Sequence, residues 1–192
     1  MFIKDWKKDV FTIPNMLSLF RLILIPIYVS IYLTARESKD YFIAGTILAV
    51  SCLTDMIDGQ IARRFNLISN VGKVLDPVAD KATQLALVIC LSIRYPVLKW
   101  VLAMFLTKEL IQAFIAFAKF RQGKALPGAL LEGKVCTTVL FVSLTFLVLM
   151  PNVDVVVVNT LALVDFTCLA YAFIRYLFAF CGKHAKVQDL EN

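Results

Sequence analysis

The chain has 192 residues, of which 60% are hydrophobic and 18% are charged, and its mean hydropathy is +0.78. Ordinary soluble domains are about 45–50% apolar, so this composition excludes an ordinary soluble fold and indicates an integral membrane protein. The net charge of +6 comes from 20 Lys and Arg against 14 Asp and Glu. Because these basic residues lie mainly between apolar runs, we expect them to face lipid headgroups and not nucleic acid.

Residues 1–12 form the first predicted element. Phe2, Trp6 and Val10 recur at helical spacing, opposite a face that carries lysines and aspartates. This pattern predicts a short amphipathic helix that lies in the membrane interface.

Six apolar segments follow, and each is long enough to cross a hydrocarbon core about 30 Å thick. They cover residues 13–34, 41–64, 72–94, 96–118, 133–150 and 155–180. We therefore predict an all-α integral membrane bundle of six transmembrane helices within residues 13–182, followed by a polar tail at 183–192. Pro26 lies inside the first segment and predicts a kink or a locally rewired turn.

The basic residues near the segment ends predict the orientation of the bundle. Most of them would face one side of the membrane, whereas the opposite side would carry Arg36, Lys39, Arg94 and Lys99. Positive charge is retained on the cytoplasmic side, so we expect a multi-pass protein of the cell membrane with both termini in the cytoplasm. The five cysteines lack the spacing of a metal site or a disulfide framework and are expected to be small core residues.

Four aspartates lie at the predicted cytoplasmic ends of the second and third segments. Asp55 and Asp58 are three residues apart and Asp76 and Asp80 are four apart, so each pair shares one helical face. Four nearby carboxylates are tolerable only if they are protonated or balanced by cations. Oxygen ligands select hard divalent ions such as Mg²⁺, Mn²⁺ or Ca²⁺, and a two-ion site suits phosphoryl transfer. For Asp76 alone, the following Pro77 leaves a second interpretation, a helix N-cap.

The neighbours of the aspartates suit a phosphate ligand. Gly59 and Gly72 allow close approach of a ligand or a backbone, Ala62 keeps the same face small, and Arg63 offers a fork of donors. An alternative from another class is a cation transporter, in which the aspartates coordinate the transported ion. That alternative requires carboxylates along a path through the membrane, whereas these cluster at one predicted edge.

The aspartates belong to a longer spacing pattern, Asp55-x-x-Asp58-Gly59-x-x-Ala62-Arg63, then eight residues, then Gly72-x-x-x-Asp76-x-x-x-Asp80. It resembles, without gap or substitution, the signature of the CDP-alcohol phosphatidyltransferase family. IPNMLSLFRL and GKVLDPVADK are similar to segments of the bacterial phosphatidylglycerophosphate synthases in that family. Two further segments resemble segments of those synthases but differ from them at one position each. Lys108 stands where those synthases usually have Arg, and Cys136 stands where they usually have Lys or Asn.

The resemblance implies a homodimer of six-helix subunits with two divalent cations, Mg²⁺ or Mn²⁺, held by the four aspartates. It implies that Asp80 is also the general base. The positions that would hold the CDP portion of the lipid donor are Asn15, Ser18, Gly59, Ala62, Arg63, Ser69 and Gly72. The implied reaction transfers the phosphatidyl group of CDP-diacylglycerol to glycerol 3-phosphate and releases CMP.

The water-soluble acceptor is the less determined part of the prediction. Lys108, Lys134 and Arg175 are candidates for its phosphate, although each is also typical of a snorkelling side chain or a positive-inside anchor. Within the family, the alternatives are a cardiolipin synthase that uses phosphatidylglycerol and a phosphatidylinositol-phosphate synthase. Glu109 and Asp165 are expected to be intramembrane ion partners of Lys108 and Arg175, and Arg21 is expected to face the bundle or a cavity.

Overall fold

A computed structural model describes residues 13–64, 72–121 and 131–188, and within these ranges the chain forms α-helices joined by short turns and contains no strand. The helices are α1 (Ile13–Thr34), α2 (Ser38–Arg64), α3 (Gly72–Arg94), α4 (Leu98–Arg121), α5 (Leu131–Leu149) and α6 (Val155–Gln188). The predicted all-α class is confirmed. The predicted interfacial helix at residues 1–12 lies outside the described residues.

Within the described ranges, three helices are long and apolar enough to cross a membrane, over Asn15–Thr34, Leu98–Ala118 and Val155–Phe178. The apolar stretch of α5, Val135–Leu149, is shorter. Many large apolar side chains on these helices are exposed, including Trp100, Phe114 and Phe178. Exposed apolar faces of this size are expected where lipid, not water, surrounds the helices.

The helices fall into two compact units, of which the first comprises Met1–Leu91 together with Thr145–Asn152. In this unit α1 packs along α2, and the Tyr32 ring lies edge-on to the Tyr41 ring at 5.4 Å. Leu48 and Leu87 belong to its buried core. Gly45 of α2 lies against Leu149, at a position where a Cβ atom would overlap the leucine side chain. The absence of a side chain thus permits this close approach.

The second unit comprises Ser92–Leu144 and Val153–Asn192, and in it α4 packs against α6. Its core contains Leu98, Leu140, Leu144 and Leu169, which are almost fully buried. The cysteines with described side chains are free thiols, with Cys136 buried and Cys168 half-buried.

The start of α2 differs from the start of its predicted apolar segment because local hydrogen bonds extend the helix. α2 begins at Ser38, three residues before its apolar run, because the Asp40 carboxylate accepts backbone N–H bonds from Arg36 and Glu37 at 2.9 and 3.0 Å. A side chain in the first turn that bonds back to the preceding backbone is one half of a capping box.

α6 continues to Gln188, so residues 183–188 of the predicted tail are helical. α1 passes through Pro26 without ending.

Candidate active site

The N-terminal half of α1 carries a buried polar face inside an otherwise apolar helix. Asn15, Ser18 and Arg21 are spaced three residues apart and are 1%, 0% and 3% exposed. This spacing places them on one side of the helix. Arg21 therefore faces the protein, as its position inside an apolar segment predicts.

This polar face contacts the first part of α3. The Ser18 hydroxyl donates a short hydrogen bond to an Asp76 carboxylate oxygen, and Arg21 Nη1 lies 2.5 Å from Asp80 Oδ1. Arg21 Nη2 also lies 3.4 Å from Ser18 Oγ, which links the two contacts. Two carboxylates on one face of α3 are thus each engaged by a side chain of α1.

The Arg21–Asp80 ion pair has an electrostatic reason. An arginine at the centre of an apolar helix costs about 2.5–3.5 kcal/mol even on the lenient insertion scale, and a neighbouring carboxylate offsets part of that cost. The Arg21 side chain is 3% exposed, whereas that of Asp80 is 46% exposed. Asp80 is therefore the more accessible member of the pair.

The N-cap interpretation of Asp76 is wrong. α3 begins at Gly72, so Asp76 and Pro77 lie inside the helix and not at its first two positions. The side chain of Asp76 accepts its described hydrogen bond from Ser18 of another helix, and not from the first turn of its own.

The other predicted ligands lie on the last turns of α2. The backbone of that helix includes Asp55, Asp58, Gly59, Ala62 and Arg63, in an unbroken helical register. The side chains of these residues lie outside the described part, as does all of Ser69, while Gly72 is the first residue of α3. Among the described side chains, no group of three or more His, Cys, Asp or Glu residues could hold a metal ion. Asp76 and Asp80 are the two predicted ligands whose contacts the structure gives.

The candidate acceptor residues belong to the second unit. Lys108 is 5% exposed, and its Nζ donates to Glu109 Oε1 at 2.6 Å, which confirms the predicted ion pair. Arg175 is an exposed residue of α6. Lys134 lies in α5, but its side chain is not among those described. Their role at an acceptor phosphate stays a prediction.

Asp165 has a different partner from the one expected. Its Oδ2 accepts a hydrogen bond of 2.8 Å from the Ser143 hydroxyl, which links α6 to α5. Both residues are buried, and Asp165 Oδ1 has no hydrogen-bond partner among the described residues. The sequence signal for this pair is a serine and an aspartate in two apolar segments, which does not by itself say that they meet.

These features define an all-helical membrane protein with apolar spans and a carboxylate pair held between the first and third helices. A family model described as CDP-alcohol phosphatidyltransferase matches residues 11–177, which include both carboxylates and the spacing pattern on α2. The chain belongs to the CDP-alcohol phosphatidyltransferase family, as its motif indicates.

Several curated proteins are similar to the chain over most of its length. The CDP-diacylglycerol–glycerol-3-phosphate 3-phosphatidyltransferase of Shigella flexneri is 35% identical over 175 residues, which are 88% of this chain and 94% of that protein. The protein of the same name from Escherichia coli K12 is 37% identical over 148 residues, 74% of this chain and 80% of the relative.

A third relative has a different name. A cardiolipin synthase (CMP-forming) and mitochondrial hydrolase fusion protein of Schizosaccharomyces pombe is 41% identical over 91 residues. These residues are 46% of this chain and 14% of the fusion protein. The names of the relatives therefore state two different enzyme activities.

Proposed function

We propose that this enzyme transfers the phosphatidyl group of CDP-diacylglycerol to a hydroxyl of glycerol 3-phosphate and releases CMP. The observation that carries the reaction class is the pair Asp76 and Asp80, held side by side by Ser18 and Arg21 in a member of this family. The acceptor is proposed from relatives named for glycerol 3-phosphate that match up to 88% of the chain.

The donor set fits divalent cations. Asp76 and Asp80 offer only oxygen ligands, and Asp55 and Asp58 would complete an acidic set that selects hard ions such as Mg²⁺ or Mn²⁺. We propose that these four residues hold two such ions. Bound there, the ions would neutralise the diphosphate of the donor and the charge that develops on departing CMP.

The residues of the chain would then bind the donor and move one proton. Gly59, Arg63 and Ser69 would hold the CDP portion, with the Arg63 fork directed at phosphate. Asp80 would take the proton of the acceptor hydroxyl as that oxygen bonds to the lipid-side phosphorus. The phosphoanhydride bond breaks in the same displacement, and its electron pair leaves on CMP.

The proposed setting is a homodimer of six-span subunits in the cell membrane, with both termini and the active site facing the cytoplasm. The three described spans and the exposed apolar faces support the membrane part of this proposal. Acyl chains would remain in the bilayer while CDP and a water-soluble acceptor meet the site from the cytosol. Lys108, Lys134 and Arg175 are the candidates for binding the acceptor phosphate.

Release of CMP tests the reaction and separates the acceptors. Purified protein in detergent is incubated with CDP-diacylglycerol and Mg²⁺ or Mn²⁺, and with one acceptor at a time. We expect CMP with glycerol 3-phosphate and none with phosphatidylglycerol or inositol phosphate. CMP with phosphatidylglycerol would favour a cardiolipin synthase, the second candidate, for which the Schizosaccharomyces pombe match is the specific observation. Absence of CMP with every alcohol would refute the transferase and favour cation transport.

A further inference from the structure

The polar face of α1 and the acidic face of α3 meet residue by residue. Ser18 and Arg21 are three residues apart on α1, and their partners Asp76 and Asp80 are four apart on α3. Each spacing is close to one helical turn, so the two contacts stack along the two helices. The 3.4 Å contact from Arg21 Nη2 to Ser18 Oγ joins them into one network.

Ser18 and Arg21 are too buried to be residues that contact a ligand at an open surface. Ser18 is 0% exposed and Arg21 is 3% exposed, whereas the side chain of Asp80 is 46% exposed. Asp76 is half-buried. The partly accessible members of the network are therefore on α3, and the buried members are on α1.

A carboxylate needs support if it is to bind an ion in one geometry. The last torsion of an aspartate side chain has a broad energy minimum, so the carboxylate plane is not set by its own rotamer. A hydrogen bond to one oxygen restricts that plane. Such bonds orient metal ligands in other proteins, and losing one typically lowers metal affinity or activity about 10–100-fold.

We propose that Ser18 and Arg21 are positioning residues that set the orientation of the Asp76 and Asp80 carboxylates for cation binding. This inference rests on the proposed function, because it takes both aspartates as cation ligands. It replaces the predicted role of Ser18 as a contact to the CDP portion of the donor. The hydroxyl of Ser18 acts through Asp76, and the guanidinium of Arg21 acts through Asp80.

The first test measures cation binding without substrate. Binding of Mn²⁺ to the purified full-length chain in detergent is followed by electron paramagnetic resonance. We expect Ser18→Ala to weaken binding about 10–100-fold. Ser18→Thr keeps the hydroxyl and should restore binding to within about twofold of wild type. Ser30→Ala is the matched control, because Ser30 is an exposed serine of the same helix.

A second variant separates orientation from charge and guards against a folding defect. Arg21→Lys keeps the positive charge but loses the planar fork that reaches both Asp80 and Ser18. We expect it to weaken Mn²⁺ binding about tenfold, while the thermal midpoint of the cation-free protein shows that the variant is folded. Mn²⁺ binding within twofold of wild type in both Ser18→Ala and Arg21→Lys would overturn the inference.

Binding of CDP at saturating Mn²⁺ distinguishes the positioning role from direct nucleotide contact. We expect Ser18→Ala to bind CDP within about twofold of wild type once the cation site is filled. Weaker CDP binding with unchanged Mn²⁺ affinity would assign Ser18 to the nucleotide and overturn the inference. A wild-type chain that takes up no Mn²⁺ would instead refute the proposed cation site itself, and with it the basis of the inference.

Discussion

The buried hydrogen bond between Ser143 and Asp165 gives a quantitative prediction about stability. Asp165 is 0% exposed, and its Oδ2 accepts from Ser143 Oγ at 2.8 Å. Its Oδ1 has no hydrogen-bond partner within the described ranges. Ser143→Ala therefore leaves a buried carboxyl group without its described partner. Stranding a buried polar group costs about 1–3 kcal/mol, more than the roughly 0.6 kcal/mol average of an interhelical hydrogen bond in a membrane protein.

For the double variant, the expected loss of stability is smaller than the sum of the losses in the two single variants. Asp165→Val in the Ser143→Ala background replaces both polar partners by apolar groups, which is often close to neutral. We expect Ser143→Ala to lower the thermal midpoint by roughly 2–12 °C, at about 2–4 °C per kcal/mol for a chain of this size. The double variant should recover most of that loss.

Thermal unfolding of the purified protein in detergent, followed by circular dichroism, measures these shifts. Thr145→Val is the matched control on the same helix, because the buried Thr145 hydroxyl has no partner among the described residues and its removal strands nothing. The reasoning is refuted if Ser143→Ala and Thr145→Val shift the midpoint equally. A double variant that is as unstable as the sum of the two single variants would refute it as well.

Three further predictions concern the proposed chemistry and one helix end. Asp80→Asn should bind CDP but lose CMP release about 10²–10⁴-fold, and a near-normal rate would remove Asp80 from the role of base. A chelator should abolish CMP release and Mg²⁺ or Mn²⁺ should restore it; activity that survives chelation would exclude the cation mechanism. Two backbone N–H bonds, from Arg36 and Glu37, lower the pKa of Asp40 below 3.8. The ionised Asp40 carboxylate therefore stabilises the folded protein fully above pH 3.8. This stabilisation is lost as the pH falls through the lower pKa that Asp40 has in the folded state. The difference in thermal midpoint between wild type and Asp40→Ala should become smaller as the pH is lowered below 3.8. A difference that does not change with pH would contradict this prediction.

The sequence predicts helices well where a long apolar run defines them. The first and third segments, 13–34 and 72–94, have the same bounds as α1 and α3. α2 begins earlier than its apolar run because Asp40 caps it through local hydrogen bonds, a signal that hydropathy ignores. Six crossings stay a proposal, since three helices meet the criterion of length and apolarity in the part of the chain that is described.

The sequence likewise predicts one part of the candidate site and not the other. The spacing of the aspartates predicts which faces of α2 and α3 carry acid, because helical periodicity is a local property. It does not predict which residues support those aspartates. A buried arginine needs an acidic partner, but several aspartates are available in the sequence, and Asp76 alone is equally compatible with a helix cap.

By itself the sequence determined the helical class, the acidic motif and the family, because apolar length and fixed spacing are written within short stretches of chain. Only the tertiary structure decided that Ser18 meets Asp76, 58 residues away, and that Arg21 meets Asp80, 59 residues away. It also paired Asp165 with Ser143 and not with Arg175 as expected. The physical reason is that a helix specifies its own polar face, whereas the packing of helices selects which polar faces meet.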